Sequence, residues 1–451
     1  MSNPGEADPT PITSLRQLAA WFDAGSKPRA EWRVGTEHEK FGFRRDDLRP
    51  PPYEAVDGRG GIGALLEAMQ ARGWAPILDA GNVIGLKRGG ASISLEPGGQ
   101  LELSGAAFAD LHATKRELTE HIREVHEASA ALELGFAPLG FHPLARREDM
   151  PWMPKSRYAV MRRYMPMVGS LGLDMMLRTC TVQANLDYGD EADMVEKLRV
   201  SLALQPVATA LFANSPFAEG RPNGFRSLRA HVWSDTDPDR TGIPAVVFEP
   251  GFGFERFADW VLDVPMYFVV RDGRLHDVAG ASFRAFMEGG LNTLPGERAT
   301  MGDFADHVTT AFTEVRLKRF LEMRGADAGS PAMLLALPTL WVGLLYDGAA
   351  QTAAAALTRG WTVEEMRELR AAVPREALSA RLRGRAVRDI ARDVLAIARD
   401  GLIARGLGEE AFLAPLDEIV ASGMTQADRW LQLHERAWRG RVAPVLAEAE
   451  V

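Results

Sequence analysis

The stretch RVGTEHEKFGF, Arg33–Phe43, places two glutamates two positions apart in a run of strand-forming residues. Side chains alternate between the two faces of a strand, so Glu37 and Glu39 point one way and His38 points the other. Such a pair is either part of the solvated face of an antiparallel sheet or part of a ligand set for a hard cation such as Mg²⁺.

The same pattern of acidic residues on one strand face recurs elsewhere in the chain. Glu102 lies in a predicted hairpin within 82–105, and Glu96 shares its face if the intervening Pro-Gly-Gly keeps the register. Glu322 alternates with apolar neighbours in a further strand. Like charges on a buried sheet face are unfavourable unless a cation compensates them, so this repetition keeps a metal site open beside the solvated face, and spacing alone does not decide between the two.

The strands are predicted in separate blocks with helices between them, which indicates an α+β fold: a mostly antiparallel sheet with helices packed on it. Residues 1–12 are predicted to be a flexible tail and residues 13–451 a single catalytic domain with a helix-rich carboxyl-terminal part from about residue 305. The predicted strands are 33–43, two or more within 82–105, one around Val182, the segment AVVFE at 245–249, the segment PMYFVVRDGRL at 265–275 and one within 315–327.

Composition excludes several classes of protein. The formal net charge of −9 argues against a nucleic-acid partner, and no apolar run has the length of a membrane helix. The amino terminus has neither a secretory signal nor a transit peptide, so a cytoplasmic protein is expected. Cys180 is the one cysteine, which rules out an internal disulfide.

Three arginines add the opposite charge. They are Arg157, Arg229 and Arg324, and the first two stand beside aromatic and apolar residues, which favours partial burial with a partner over a solubilising role. A guanidinium binds a carboxylate or a phosphate through two parallel hydrogen bonds. The sequence contains no Walker motif, no serine-hydrolase elbow and no zinc-type histidine spacing.

Several long blocks together resemble the plant-type glutamate–cysteine ligases, which also occur in alpha-proteobacteria. The blocks are GTEHEKFGF, ISLEPGGQLELSGA, MPKSRYAVMRRYMP, GSLGLDMMLRTCTVQANLDY, LALQPVATALFANSPF, DVPMYF, EVRLKRFLEMRGAD and LWVGLLYD. The resemblance implies a glutamine synthetase-like catalytic fold, in which a curved, mostly antiparallel sheet flanked by helices forms an active-site funnel for Mg²⁺ and ATP.

The resemblance also implies a reaction and roles for residues. ATP would phosphorylate the side-chain carboxylate of L-glutamate, and the amino group of L-cysteine would attack the acyl phosphate to give γ-glutamylcysteine, the first step of glutathione biosynthesis. The implied Mg²⁺ ligands are Glu37, Glu39, Glu96, Glu102 and Glu322; the nucleotide-binding residues are Gln183, Asn185 and Arg324; the substrate-binding residues are Arg157, Arg229 and Tyr267; and the catalytic residues are Arg324 and Glu322.

Two departures from plant members limit what carries over. Cys180 stands alone, and Thr293 occupies a position where plant relatives often have a cysteine, so regulation by an internal disulfide is not expected.

Three alternatives stay open at this point: a γ-glutamyl ligase with another amine acceptor, a non-catalytic relative of the same fold, and a carboxylate-pair glycosidase. We expect a monomer or weak homodimer whose partners are the small-molecule substrates, with no nucleic acid and no membrane.

Overall fold

The structure is a computed structural model that describes residues 8–451. Its strands are β1 Val34–Arg44, β2 Ala75–Asp79, β3 Asn82–Arg88, β4 Ala91–Leu95, β5 Leu101–Ser104, β6 Leu134–Ala137, β7 Thr181–Leu186, β8 Phe217–Ala218, β9 Arg221–Pro222, β10 Thr241–Gly242, β11 Phe268–Arg271, β12 Arg274–Asp277, β13 Phe312–Thr313, β14 Val315–Leu317, β15 Leu321–Asp327, β16 Arg381–Leu382 and β17 Arg385–Ala386.

Helices occupy most of the chain between and after these strands. They are α1 Leu15–Asp23, α2 Ile62–Gln70, α3 Leu111–Ala130, α4 Ser156–Val168, α5 Gly172–Arg178, α6 Glu191–Leu211, α7 Leu228–Val232, α8 Phe254–Leu262, α9 Phe283–Met287, α10 Met301–Val308, α11 Pro331–Leu345, α12 Gly348–Thr358, α13 Val363–Glu376, α14 Val387–Arg405, α15 Ala414–Ser422, α16 Gln426–Arg436 and α17 Pro444–Glu448.

Nine strands form the central sheet. Eight of them run in the order β14-β15-β7-β1-β5-β4-β3-β2, β6 pairs with the far end of β1, and the sheet is open. Every pairing within it is antiparallel. The predicted α+β fold with a mostly antiparallel sheet is therefore confirmed.

The two faces of β7 show how the sequence separates core from site. Val182, Ala184 and Leu186 are fully buried in the large apolar cluster that α6 and α11 share. The alternate residues Gln183 and Asn185 project from the other face, as the period of two requires. Apolar burial against the helices thus fixes which face of the sheet is left for polar chemistry.

One expectation about the elements is wrong. The AVVFE segment is not a strand: Ala245–Phe248 forms a 3₁₀ helix after Pro244, which has no N–H to donate to a ladder. The strand predicted within 315–327 is present as the β14–β15 hairpin, and helices α11 to α17 follow it. The helix-rich carboxyl-terminal part from about residue 305 stays a prediction.

The predicted flexible tail is only partly covered by the structure, since residues 1–7 lie outside the described residues. Its last residues are held in place: Pro11 forms an isolated antiparallel bridge with Thr300, and the Ile12 amide donates to the Ala299 carbonyl at 3.3 Å. The division into a tail and a single catalytic domain stays a prediction.

No single helix of residues 8–451 is long and apolar enough to cross a membrane. Helices α11 and α12 pass a test of length and composition only when they are taken together, and they meet at 92°.

Candidate active site

The acidic residues of the opening stretch come together with those of the neighbouring strands on one face of the sheet. Glu39 lies directly opposite Glu102 across the β1–β5 pair, and Glu37 lies opposite Gln183 across β1–β7. Glu37 is buried and accepts a hydrogen bond from the Asn185 side-chain amide at 3.0 Å. The alternation predicted for β1 thus places the two glutamates on one wall.

Glu96 reaches the same wall from the turn between β4 and β5. This turn needs glycine, because a Cβ on Gly98 would lie 2.3 Å from the Leu177 carbonyl oxygen and Gly99 has a φ of +85°. The Gln100 side chain accepts from the Gly98 amide at 2.9 Å and donates to the Met176 and Thr179 carbonyls. These hydrogen bonds attach the turn to the end of α5, and the end of α5 forms one side of the wall.

The electrostatics of this wall favour the binding of a cation. Burial, the Glu96 carboxylate and then the Glu102 carboxylate raise the pKa of Glu39 well above its usual range. One oxygen of Glu96, Oε1, is buried without a hydrogen-bond partner. Glu39 itself accepts the Thr181 amide at 2.9 Å, and Glu102 accepts the hydroxyls of Ser94 and Ser104.

The three predicted arginines line the same cavity as these four glutamates. Arg229, on α7, is 3% exposed, and its Nη2 donates to the Arg324 carbonyl at 2.8 Å, while its Nε has no hydrogen-bond partner. Burial lowers the pKa of Arg229, and the carboxylates of Asp327 and Glu39 oppose that shift. Arg324 donates to the Gln183 side-chain oxygen at 2.7 Å.

Arg157 lies between two cavities. It lines the carboxylate cavity of about 60 Å³ and also an adjoining cavity of about 250 Å³, bordered by the β2–β3 and β11–β12 hairpins. Lys155 lines the second space, and burial, with a smaller effect of Arg157, lowers the pKa of Lys155 to about 7. Ligand pockets are typically about 300–1,000 Å³, so each of these two cavities is smaller than a typical ligand pocket.

Glu322 is not on the cavity wall, contrary to expectation. Its carboxylate is fully buried and pairs with Arg316 at 2.6 Å, with Lys318 at 2.6 Å, and with Arg324. Burial acts to raise its pKa, but these three cations hold the pKa of Glu322 well below its usual range. The β14–β15 hairpin register, which places Arg316 opposite Glu322, supplies part of this neutralisation.

Tyr267 is also placed behind the wall. Its ring lies under the Arg240 guanidinium, 3.9 Å from the ring centre, and its hydroxyl is 3.4 Å from Asp237 Oδ2. The residue is 1% exposed and does not line the carboxylate cavity. In this structure the side chain packs against the buried Arg240–Asp237 pair, and the contact of Tyr267 with substrate stays a prediction.

Asn185 stays close to the site without lining the cavity, since its amide group is used by Glu37. Sequence reasoning missed Thr181, Trp233 and Phe312, all of which line the cavity. Thr181 lies two residues before Gln183 on the same strand. The period of two places both side chains on one face, so it could have identified Thr181. Trp233 and Phe312 arrive from a short helix and a two-residue strand that carry no periodic signal.

A divalent metal fits this wall only with further ligands. Among residues 8–451, no three carboxylate, imidazole or thiol groups lie close enough to hold a metal ion by themselves. The facing pair Glu39 and Glu102, together with the unpartnered oxygen of Glu96, offers oxygen donors of the type that Mg²⁺ takes. Mg²⁺ usually completes its octahedron with water and substrate phosphates, so a site that is complete only with nucleotide matches these residues.

Comparison with known proteins gives a consistent picture. The family described as glutamate-cysteine ligase family 2 (GCS2) matches residues 33–448. Glutamate–cysteine ligase A, chloroplastic, of Oryza sativa subsp. japonica is 50% identical over 438 residues, covering 97% of this chain and 88% of the relative. The chloroplastic glutamate–cysteine ligase of Arabidopsis thaliana is 50% identical over 439 residues, covering 97% and 83%.

A solved structure extends the comparison to the fold. The glutamate–cysteine ligase of Francisella tularensis, in complex with AMP, superposes with a TM-score of 0.56 at 10% identity, covering 94% of this chain and 88% of that one. At this identity the likeness is one of fold alone.

The prediction of a cytoplasmic protein is wrong, because the curated relatives from rice and Arabidopsis are chloroplastic enzymes. That prediction depended on the amino-terminal sequence, which has no bearing on the catalytic wall.

Proposed function

This chain belongs to glutamate-cysteine ligase family 2, and we propose that it joins L-glutamate to L-cysteine at the carboxylate cavity, with ATP as co-substrate and Mg²⁺ as cofactor. One observation carries the proposal: Glu39, Glu96 and Glu102 face Arg157, Arg229 and Arg324 across a single buried cavity of a chain that is half identical to such ligases. This arrangement suits two anionic substrates and a cation.

The chemistry has two balanced steps. A side-chain carboxylate oxygen of glutamate attacks the γ-phosphorus of ATP, and ADP leaves. The cysteine nitrogen then attacks the acyl carbon, phosphate leaves, and the nitrogen loses a proton. Both steps depend on positioning and charge neutralisation, and neither needs a covalent protein nucleophile.

The residues present supply those two requirements. Arg157 and Arg229 would hold carboxylates, since a guanidinium offers paired donors and Arg229 has an unpartnered Nε. Arg324 would face the transferring phosphoryl group, oriented by its bond to Gln183. The phosphoryl transfer itself does not require any protein side chain to gain or lose a proton.

Glu39, Glu96 and Glu102 would hold Mg²⁺, with Glu37 beside them. When bound, the ion would neutralise phosphate charge. The three carboxylates present oxygen atoms from three segments of the chain: β1, the β4–β5 turn and β5. Glu322 has no such role in this proposal, because its carboxylate already neutralises Arg316 and Lys318.

The experiment is ADP release by the purified protein with Mg²⁺, ATP and L-glutamate, measured with and without L-cysteine, together with mass detection of the product. We expect ADP release that depends on cysteine and a product of the mass of γ-glutamylcysteine. ADP release that requires glutamate but does not depend on cysteine would support the acyl phosphate intermediate and indicate an amine acceptor other than cysteine. Absence of glutamate-dependent release would overturn the proposal.

A further inference from the structure

Arg370 lies on α13, among the carboxyl-terminal helices, outside the carboxylate cavity. Its Nε donates to the Glu314 carboxylate at 2.5 Å, and its Nη2 donates to the Trp233 carbonyl at 3.2 Å. One guanidinium therefore joins two segments that are 81 residues apart in the chain, Trp233 and Glu314. Each of these segments leads to one of the two buried arginines of the site.

The Glu314 branch leads to Arg324. The Glu314 carbonyl accepts the Arg324 amide at 3.1 Å, so the two residues are neighbours across a backbone hydrogen bond. A Cβ on Gly325 would lie 2.7 Å from Glu314 Oε2, which shows how closely this carboxylate packs against the chain beside Arg324. A shift of Glu314 would therefore be transmitted to Arg324.

The Trp233 branch leads to Arg229. Trp233 directly follows α7, the helix that carries Arg229, and the Arg229 guanidinium lies 6.0 Å from the Trp233 ring centre. Helix α13 also binds the chain just before α7, because the Pro374 carbonyl accepts the amides of Arg226 and Ser227 at 2.8 and 3.0 Å.

The Glu314 and Trp233 branches are joined to each other at the two arginines, where Arg229 Nη2 donates to the Arg324 carbonyl. The gap enclosed by Arg229, Trp233, Phe312, Glu314 and Arg324 is only about 20 Å³. A cavity needs roughly 10–15 Å³ to hold one water, so these groups have little room to move independently. The two guanidinium groups line the same gap and repel each other, so they need fixed neighbours to keep a defined separation.

We propose that Arg370 is a positioning residue that sets the separation and direction of Arg229 and Arg324 by binding Glu314 and the Trp233 carbonyl. The inference rests on the proposed function, since those two arginines are the groups that would hold glutamate and the transferring phosphoryl group. Arg370 touches neither substrate. Its planar fork serves two acceptors at once, which a lysine cannot reproduce.

The test compares Arg370→Met and Arg370→Lys with a control on the same helix, Arg367→Met, which removes one bond to the Ile243 carbonyl. For each protein, kcat and the KM values for glutamate, cysteine and ATP are measured beside the melting temperature. Misplacement by about 1 Å costs on the order of 100-fold, so we expect Arg370→Met to lower kcat/KM for glutamate by about 10- to 100-fold. Arg370→Lys should fall between it and the wild type.

Two results separate positioning from a general loss of stability. The melting temperature of Arg370→Met should match that of Arg367→Met, and the KM for cysteine should change least. Glu314→Gln should reproduce the kinetic loss, and combining it with Arg370→Met should add little because both act through one link. If Arg370→Met does not fold, Arg370→Lys and Glu314→Gln carry the same comparison.

The inference is overturned if Arg370→Met and Glu314→Gln, in an active wild-type background, match Arg367→Met in every kinetic constant. A fall in kcat/KM that tracks only the melting temperature would also overturn it. A wild-type protein that forms no γ-glutamyl product instead contradicts the proposed function, so the two failures are distinguishable.

Discussion

Glu39 on β1 lies directly opposite Glu102 on β5, so two carboxylates meet across an antiparallel strand pair inside the cavity. Like charges directly opposite each other destabilise a sheet. The arrangement is therefore retained at a cost in folding stability, which a bound cation would offset.

The first prediction concerns this pair. Glu102→Gln removes one charge and keeps the shape, so turnover should fall by at least about 100-fold because an electrostatic contact to the reacting groups is lost. The Mg²⁺ concentration that gives half-maximal rate should rise. Steady-state rates across a Mg²⁺ series provide the measurement, with Glu120→Gln on the exposed face of α3 as control. Unchanged Mg²⁺ dependence would exclude Glu102 as a metal ligand.

A second prediction addresses substrate binding by Arg229. Arg229→Lys keeps the charge and loses the paired donors, so kcat/KM for glutamate should fall by about 100-fold. The exposed Arg284, paired with Asp259 and Asp263, provides the matched control Arg284→Lys. A change confined to the KM for ATP would assign Arg229 to the nucleotide instead.

The turn that carries Glu96 gives a third prediction. Gly98→Ala would place a Cβ 2.3 Å from the Leu177 carbonyl oxygen, and overpacking of this kind costs about 1–3 kcal/mol. Both the free energy of unfolding and turnover should fall, since Glu96 would move. Gly348→Ala is the control, because a Cβ there meets nothing within 4 Å. Denaturant unfolding of both variants tests this, and equal stabilities would show that the turn adapts.

Buried His307 provides a fourth prediction, on the pH dependence of stability. Burial lowers the pKa of His307 from 6.5 to about 4, while its Nε2 stays 3.0 Å from the Val261 carbonyl. The folded histidine is neutral, whereas the unfolded one gains a proton below about pH 6.5. Stability from this residue is therefore complete above pH 6.5 and is lost as the pH falls toward 4, by up to about 3 kcal/mol.

His307→Gln should flatten that loss, because an amide has no charge to gain and can still donate to the Val261 carbonyl. Free energies of unfolding at pH 7, 5.5 and 4 measure the effect. The exposed His126, replaced by Gln, is the control and should leave the slope unchanged. A wild-type slope in the His307→Gln variant would contradict the assignment.

The local pattern of the sequence was sufficient for much of the site. Alternation along 33–43 placed Glu37 and Glu39 on one face, and the same rule applied to Glu102 on its own strand, while Gln183 came only from the family resemblance. The length and order of the family-like blocks indicated the reaction. These features are local because a strand's period of two is a property of consecutive residues.

Other parts of the site depended on contacts between distant segments. Glu322 was expected at the metal, but the β14–β15 register pairs it with Arg316, and the charges of Arg316 and Lys318 could not be assigned to it from spacing alone. Tyr267 was expected at a substrate, but the packing of Arg240 over its ring withdraws it from the cavity.

The sequence by itself determined the acidic wall and the family, because both depend on residue identity and short-range spacing. Only the tertiary structure decided which carboxylates remain available, because a buried carboxylate is free to bind a metal ion only if neighbouring side-chain cations have not already neutralised it. Glu96, with an unpartnered buried oxygen, and Glu322, paired with three cations, are alike in sequence context and opposite in that respect.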